Sequence, residues 1–346
     1  VDVYTGGFPA RYGDRMSGVM DIEPSARAGG FGADIMVSFL TTSAALAGNT
    51  AGGRGAWALS ARRGNLDLVL DALDPSAGKP EYSDYYGSFS YAIDPGTDIE
   101  AGFIYYDDDV ELKDLDEGDG ELARSVYRNA YGWIQLHRQW GERVRSSTVL
   151  SYGDIDNERE GFIADEDLEE GNSSLEDARR FRIWHLGHRH HFDLADRLEL
   201  EIGGRLIYQE GSYDTLAIIE RGVLAELIGI PIEELRRVER TPRGTSGGLY
   251  GSVRYLPVDW LSLEAGLRWD YQDYGEAFEQ QTSPRVSALV DLGEDTQLRL
   301  SAGRFHQAEQ IHELQAADGV DVFQPAQYAD HYIIGLQHRF ADTGLS

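Results

Sequence analysis

Four histidines crowd into seven residues, at His185, His188, His190 and His191. On an extended strand His188 and His190 share a side, a spacing at which two imidazoles can chelate a transition metal. They run into the short Phe192–Asp196 turn, so the plainer reading is a strand end at an interface, and no metal site is assigned. Acidic side chains gather in two stretches: nine within residues 107–121 against Lys113, and eleven within 154–178 against Arg159. These stretches contribute −8 and −10 of the formal net charge of −29. Such clusters can capture cations or bridge phosphates through divalent ions. The calcium-loop pattern is missing, because no Gly holds the sixth place of an Asp-x-Asp run, and a solvated, self-repelling loop is the reading adopted. The glycine-rich stretch Gly6 to Gly18 invites a phosphate-loop reading, which fails because no Gly-Lys-Ser/Thr and no helical pattern follow. His306 and His312 are only a loop pair, and no Ser/His/Asp set assembles. Cysteine is absent, which excludes disulfides, thiolate metal clusters and a cysteine nucleophile. The acidic balance excludes a phosphate-gripping nucleic-acid binder. No enzyme chemistry and no cofactor are indicated.

The elements that must carry these groups are strands. From Leu261 the odd positions read Leu261, Leu263, Ala265, Leu267, Trp269, Tyr271, and the even ones Ser262, Glu264, Gly266, Arg268, Asp270, Gln272. One greasy and one wet face is the period-two signature of a strand between apolar and aqueous surroundings. The stretch from Arg197 to Tyr208 repeats it with Ile207 as the exception, and 331–340 repeats it less purely. Leu261 to Tyr271 spans about 33 Å at ~3.3 Å per residue, longer than an ordinary strand. Tilted by about 40°, it rises ~25 Å, the height of the apolar band of an outer-membrane barrel. Trp260 at one end and Trp269 with Tyr271 at the other stand where aromatic girdles belong. No run approaches the ~18 apolar residues of a membrane-spanning helix.

Connections alternate in length. Short turns follow Ala92, Gln139, Phe192, Leu256 and Asp291, and long polar excursions lie near 64–82, 108–123, 154–178, 212–244 and 307–326. Fourteen strands fit between residues 31 and 340. Short turns on the periplasmic side and long loops outside are the outer-membrane arrangement, which puts the histidine cluster at the periplasmic interface. A soluble β-sandwich would need shorter strands. Within 216–240, apolar residues including Leu216, Ile218, Val223, Leu224, Leu227, Ile228 and Leu235 fall at mixed helical spacing. Pro231 can open a short helix that Glu233 and Glu234 favour. One or two helices are therefore expected in an extracellular loop, as a lid or as the dock of a surface lipoprotein partner at 212–244. The wet-face charges Glu199, Glu201, Arg205, Glu264, Arg268, Arg285 and Arg299 must find partners in the lumen, with Arg197 or Arg205 expected beside Glu199 and Glu201.

The opening residues differ from the rest. Gly6-Gly7-Phe8-Pro9-Ala10-Arg11-Tyr12-Gly13, followed by Ser17-Gly18-Val19 and a short apolar strand, resembles the closing segment of the plug domain in TonB-dependent outer-membrane receptors. Ser283-Pro284-Arg285-Val286-Ser287 and Leu300-Ser301-Ala302-Gly303-Arg304-Phe305 resemble pieces of that family's barrel, in the expected order. The resemblance implies an all-β, transmembrane antiparallel barrel fragment: residues 1–28 as the plug's end and linker, and 29–346 as the first two-thirds or so of a twenty-two-stranded barrel. The chain opens mid-pattern at Val1 and reads as a piece of a longer protein, although a self-closed fourteen-strand barrel is an alternative. The implied function is binding a scarce small nutrient (an iron chelate, vitamin, oligosaccharide or peptide) and importing it with energy from an inner-membrane TonB-type complex. Partners would be that complex, the nutrient and outer-membrane lipid of a Gram-negative bacterium. The rivals are a passive porin and a surface adhesion or assembly barrel. The substrate-binding residues are left unassigned.

Overall fold

The computed structural model describes residues 2–22, 30–50, 52–73, 78–115, 120–164, 171–221, 225, 229–275 and 278–340. Two short strands, β1 (Asp2–Tyr4) and β2 (Val19–Asp21), pair only with each other. Then follow β3 (Gly32–Val37), β4 (Thr41–Asn49), β5 (Gly55–Gly64), helix α1 (Leu66–Leu73), β6 (Lys79–Asp94), β7 (Thr97–Leu115) and β8 (Gly120–Gln139). The chain continues through β9 (Val144–Ala164), β10 (Gly171–Ala195), β11 (Leu198–Arg221), β12 (Glu233–Arg240), β13 (Arg243–Val258), β14 (Leu261–Gln272), β15 (Glu279–Gly293), β16 (Thr296–Gln307) and β17 (Gln327–His338). From β3 to β17 all form one antiparallel sheet of fifteen strands, each beside its sequence neighbour, except that β12 pairs only with the upper part of β11 while β13 takes the lower part.

The sheet is open. Among the described residues β3 and β17 are the two ends of its hydrogen-bonded path and do not pair, so they do not close a fourteen-strand barrel. Its outer face is the greasy one of the sequence pattern: Leu206, Leu249, Leu267, Ile334 and Leu336 are exposed there, as a wall meeting hydrocarbon requires. The five short turns fall where expected, and the Asp94 carboxylate closes one by accepting from Gly96 N (2.8 Å) and Thr97 Oγ1 (3.0 Å).

The far ends of the strands depart from the expectation. β10 has 25 residues, about 80 Å at ~3.3 Å each, far more than a bilayer needs. The acidic stretches read as loops are the tops of these hairpins. Their charges are crossed by arginines: Arg124 binds Asp109 (2.7 Å) and Glu160 (3.4 Å), and Arg180 binds Asp154 (3.3 Å). Cross-strand pairing offsets part of the self-repulsion that reasoning along the chain foresees, although Asp84 and Asp107 still repel Asp108. Asp116, Glu117, Asp119 and residues 165–170 lie outside the described residues.

The expected helix after Pro231 is also a strand. Glu233 to Arg240 pairs residue by residue with Glu220 to Tyr213, and Leu216 and Ile218, counted in the same helical pattern, belong to β11. Ala225 alone is helical there among the described residues, with Val223, Leu224, Leu227 and Ile228 outside them. The core sits inside the concave upper sheet, where the β16–β17 connection folds inward. Ile311, Leu314 and Ala316 bury themselves among Phe181, Tyr213, Val238 and Tyr274, and a 3-10 turn at Ala316–Asp318 ends on Gly319.

Candidate functional site

The concave face holds two inward guests, the N-terminal segment 6–14 and the connection 308–326. The first lies along β14, β15 and β16. Three arginines, one from each strand, point inward by the period-two rule and grip its carbonyls. Arg299 donates to Gly7 O (3.2 Å), Arg285 to Phe8 O (3.1 Å) and Pro9 O (2.5 Å), and Arg268 to Ala10 O (3.3 Å) and Arg11 O (3.2 Å). Arg285 also lies over the rings of Phe8 and Phe305, which touch at 4.5 Å between centroids. Arg268 and Phe8 are each 1% exposed, so the bonds from Arg268 and Arg285 are shielded from water and count for more than surface ones such as that from Arg299. Asp270 takes the remaining Arg268 donors at 2.6–3.0 Å.

Glycine makes the fit possible at two places. Gly7 has φ +57 and its missing Cβ would strike Ser301, while a Cβ on Gly13 would strike the Arg268 guanidinium. Between them and the next guest stands Asp14, with φ 61, a left-handed conformation that Asp tolerates better than most residues. Its carboxylate accepts from Ala308 N (2.8 Å) and Gln310 Nε2 and faces Arg205 (3.5 Å). One side chain thus joins the N-terminal segment, the inward connection and the wall.

The connection 308–326 is held by its backbone. Tyr213 donates its hydroxyl to Ile311 O (2.7 Å), Tyr274 donates to Glu309 O (2.8 Å), and Glu279 accepts from Ala326 N (3.0 Å). Burial pushes the Tyr213 hydroxyl well above its ordinary range, keeping it a donor. One register row outward Asp177, 1% exposed at its side chain, accepts from Arg159 (2.6 Å), Arg179 (2.9 Å) and Thr215 (2.5 Å). Burial raises its pKa, but the hydrogen bonds from Thr215, Arg179 and Arg159 outweigh that and hold the carboxyl below its ordinary value.

The structure brings Arg205, Arg268, Arg285 and Arg299 to this site from the lumen charges read in the sequence. Glu199 and Glu264 instead share Arg254 (3.5 and 3.1 Å). Arg197 turns to Asp259 and Arg205 to Asp14, so neither serves Glu199; Glu201 lines a cavity with Arg189 and His191. Sequence reasoning missed Asp14, Arg254, Asp270 and the two tyrosines. Tyr-Gly-Asp at 12–14 is a turn signal that could have marked Asp14.

The histidines divide between the two faces and the turn. His188 and His190 share the outer face, 4.6 Å apart and edge-on, with His188 Nδ1 bonded to Thr148 Oγ1 (2.8 Å), while His191 meets Asp193 (2.9 Å). His306 bonds Ser283 Oγ (2.9 Å), and His312 packs against Phe181. Among the described residues no three His, Cys, Asp or Glu groups converge as a metal site would require.

A family model described as "TonB dependent receptor-like, beta-barrel" matches residues 27–346. No curated protein matches the chain. Among solved structures, it is similar to the siderophore receptor PiuA from Acinetobacter baumannii, with TM-score 0.63 at 12% identity over 92% of this chain and 56% of that one. It is similar also to the FpvAI–pyocin S2 complex (TM-score 0.68, 13% identity, 98% and 51% covered). A third is the ferripyoverdine receptor of the Pseudomonas aeruginosa outer membrane bound to ferripyoverdine (TM-score 0.61, 12% identity, 87% and 44% covered). The chain spans about half the length of these structures.

Proposed function

This chain belongs to the TonB-dependent receptor family, and we propose that it is the wall, with the closing stretch of a plug, of an outer-membrane receptor that imports a scarce nutrient. In this reading residues 1–28 end the plug, 29–346 begin the barrel, and a TonB-type inner-membrane complex supplies the energy through parts of the protein other than this chain. An iron chelate is the favoured cargo, supported by the siderophore and ferripyoverdine receptors among its structural relatives. The observation that carries the reading is the arginine grip on residues 7–11. A passive pore needs no segment bound to its inner wall by buried charge, whereas a plugged transporter must anchor its plug somewhere. No residue performs covalent chemistry in this scheme; the work is conformational.

The test is uptake of radioactive iron from a panel of ferric chelates by iron-starved cells carrying the intact gene, with and without the energy-coupling protein. Uptake that needs both receptor and coupling protein supports the reading. Uptake indifferent to the coupling protein would indicate a porin, and none from any chelate would remove iron as the cargo.

A further inference from the structure

High on the concave face, beyond the membrane band, the side chains change character row by row. One register row runs Val110, Ser125, Arg159, Asp177, Thr215 and is closed by the ion pairs at Asp177. The next row outward runs Leu112, Ala123, Gly161, Leu175, Ala217 across five strands, and the one beyond it includes Ile163 and Ile219. Three small residues in a row that also holds two leucines leave a hollow, and a cavity of about 670 Å³ lies there, capped on one side by Ala317 of the inward connection. That volume suits a drug-sized ligand or a large substituent of one.

The lining is also defined by its charge. Glu121 is the one charged residue lining the hollow among the described residues. Arginines flanking the lining are committed elsewhere: Arg124 to Asp109 and Glu160, Arg159 and Arg179 to Asp177 below, and Arg221 and Arg236 both to Glu234 on the far side of β11. An anionic group entering here would lose water without gaining a counter-charge, while an apolar group would gain by leaving water. Leu112 and Ile163 stand 55% and 49% exposed on this water-facing side of the wall, an apolar concavity that lipid cannot cover.

We propose that this hollow binds an uncharged aromatic or branched aliphatic portion of the cargo, so that the receptor selects a chelate by a lipophilic substituent rather than by anionic charge. The inference rests on the uptake reading above and names the substrate class. Ala317 belongs to the connection that reaches Asp14 through Ala308 and Gln310, so an occupant of the hollow touches the same strap that holds the N-terminal segment.

The test uses the intact receptor with Ser173→Cys, any cysteine outside this cysteine-free chain being first replaced by serine, at a position in the lining between Ile163 and Ile219. Its reaction rates with benzyl methanethiosulfonate and with the anionic sulfonatoethyl reagent are compared with those at Glu294→Cys on an exposed turn. The benzyl-to-anionic rate ratio is expected to be at least tenfold higher at 173, on the order of a transfer preference for one ring. Ala217→Asp, or Ile163→Asp where the first does not fold, should return the ratio to that of the control. Equal ratios, faster anionic labelling, or protection of the introduced thiol from both reagents by the protein's own chain would each overturn the proposal. No nutrient enters this assay, so a failure of the uptake reading and a failure of the pocket are separately visible.

Discussion

Replacing Arg268 by Leu should release the N-terminal segment from the wall while leaving the barrel intact. The guanidinium donates to two segment carbonyls and to Asp270. Hydrogen bonds from a charged donor are worth about 1.5–3 kcal/mol each, so the two carbonyl bonds alone supply roughly 3–6 kcal/mol gross. Removing one member of a buried pair costs about 3–5 kcal/mol, moderated here because Arg205 stays 3.8 Å from Asp270. The cost falls on docking of residues 6–14, since the β-ladder of β14 does not involve the side chain. A net loss of about 3–5 kcal/mol shifts the docked equilibrium about a hundred- to several-thousand-fold, at tenfold per 1.4 kcal/mol. The assay is maleimide labelling of Ala10→Cys, a position 1% exposed, in the purified intact receptor. Labelling should accelerate at least a hundredfold in the Arg268→Leu background and less with Arg268→Lys, which keeps charge but loses the fork. The folded barrel should keep its heat-resistant mobility in gel electrophoresis. Unchanged labelling, or loss of the folded band, would refute the claim that this arginine holds the segment without being needed by the barrel.

Asp14→Ala should loosen the connection 308–326 by about 1–3 kcal/mol, because Ala308 N loses its buried acceptor; protease cleavage between Ile311 and Val320 should rise, and no change would discount the link. Asp177 titrates lower in the folded state than its ordinary value, so its contribution is present near neutral pH and fades as pH falls from about 4 through the folded value. Protection of the upper β10–β11 hairpin amides against exchange, taken relative to the intrinsic rate at each pH, should fall over that window in the wild type, and Asp177→Asn should flatten the dependence; an unaltered profile would contradict this. Leu267→Arg, on the outer face at mid-strand, should cost about 2–4 kcal/mol in lipid, whereas Leu235→Arg, 68% exposed on β12, should stay within about 0.5 kcal/mol; equal costs would contradict the position of the apolar band.

Strand identity and the sidedness of the wall were legible because lipid and lumen impose opposite demands on alternate residues, as Leu267 and Arg268 show. Where strands leave the membrane that demand ends, and sequence reasoning failed there in one consistent direction. Asp109 and Asp177 look like loop residues along the chain, and only the register reveals Arg124 and Arg159 near them. Leu235 and Val238 keep helical spacing among good helix formers, yet pairing with β11 overrides intrinsic propensity. The stretch 307–326 seemed another polar excursion, although Ile311 and Leu314 were there to be noticed as buried anchors, with Phe323 packed against them. Of the site, the inward arginines were foreseen as lumen charges in want of partners. Their partners were not, because backbone carbonyls of a distant segment carry no sequence signal.

Which face of the sheet meets hydrocarbon matters most to everything above, and tryptophan quenching reads it directly. Single-tryptophan variants retaining Trp184 or Trp269 on the outer face, or Trp133 on the concave face, would be reconstituted in bilayers of lipids brominated along the acyl chains. Strong quenching of Trp184 and Trp269 with little quenching of Trp133 is the predicted outcome. Quenching of Trp133 alone, or of none of the three, would contradict it.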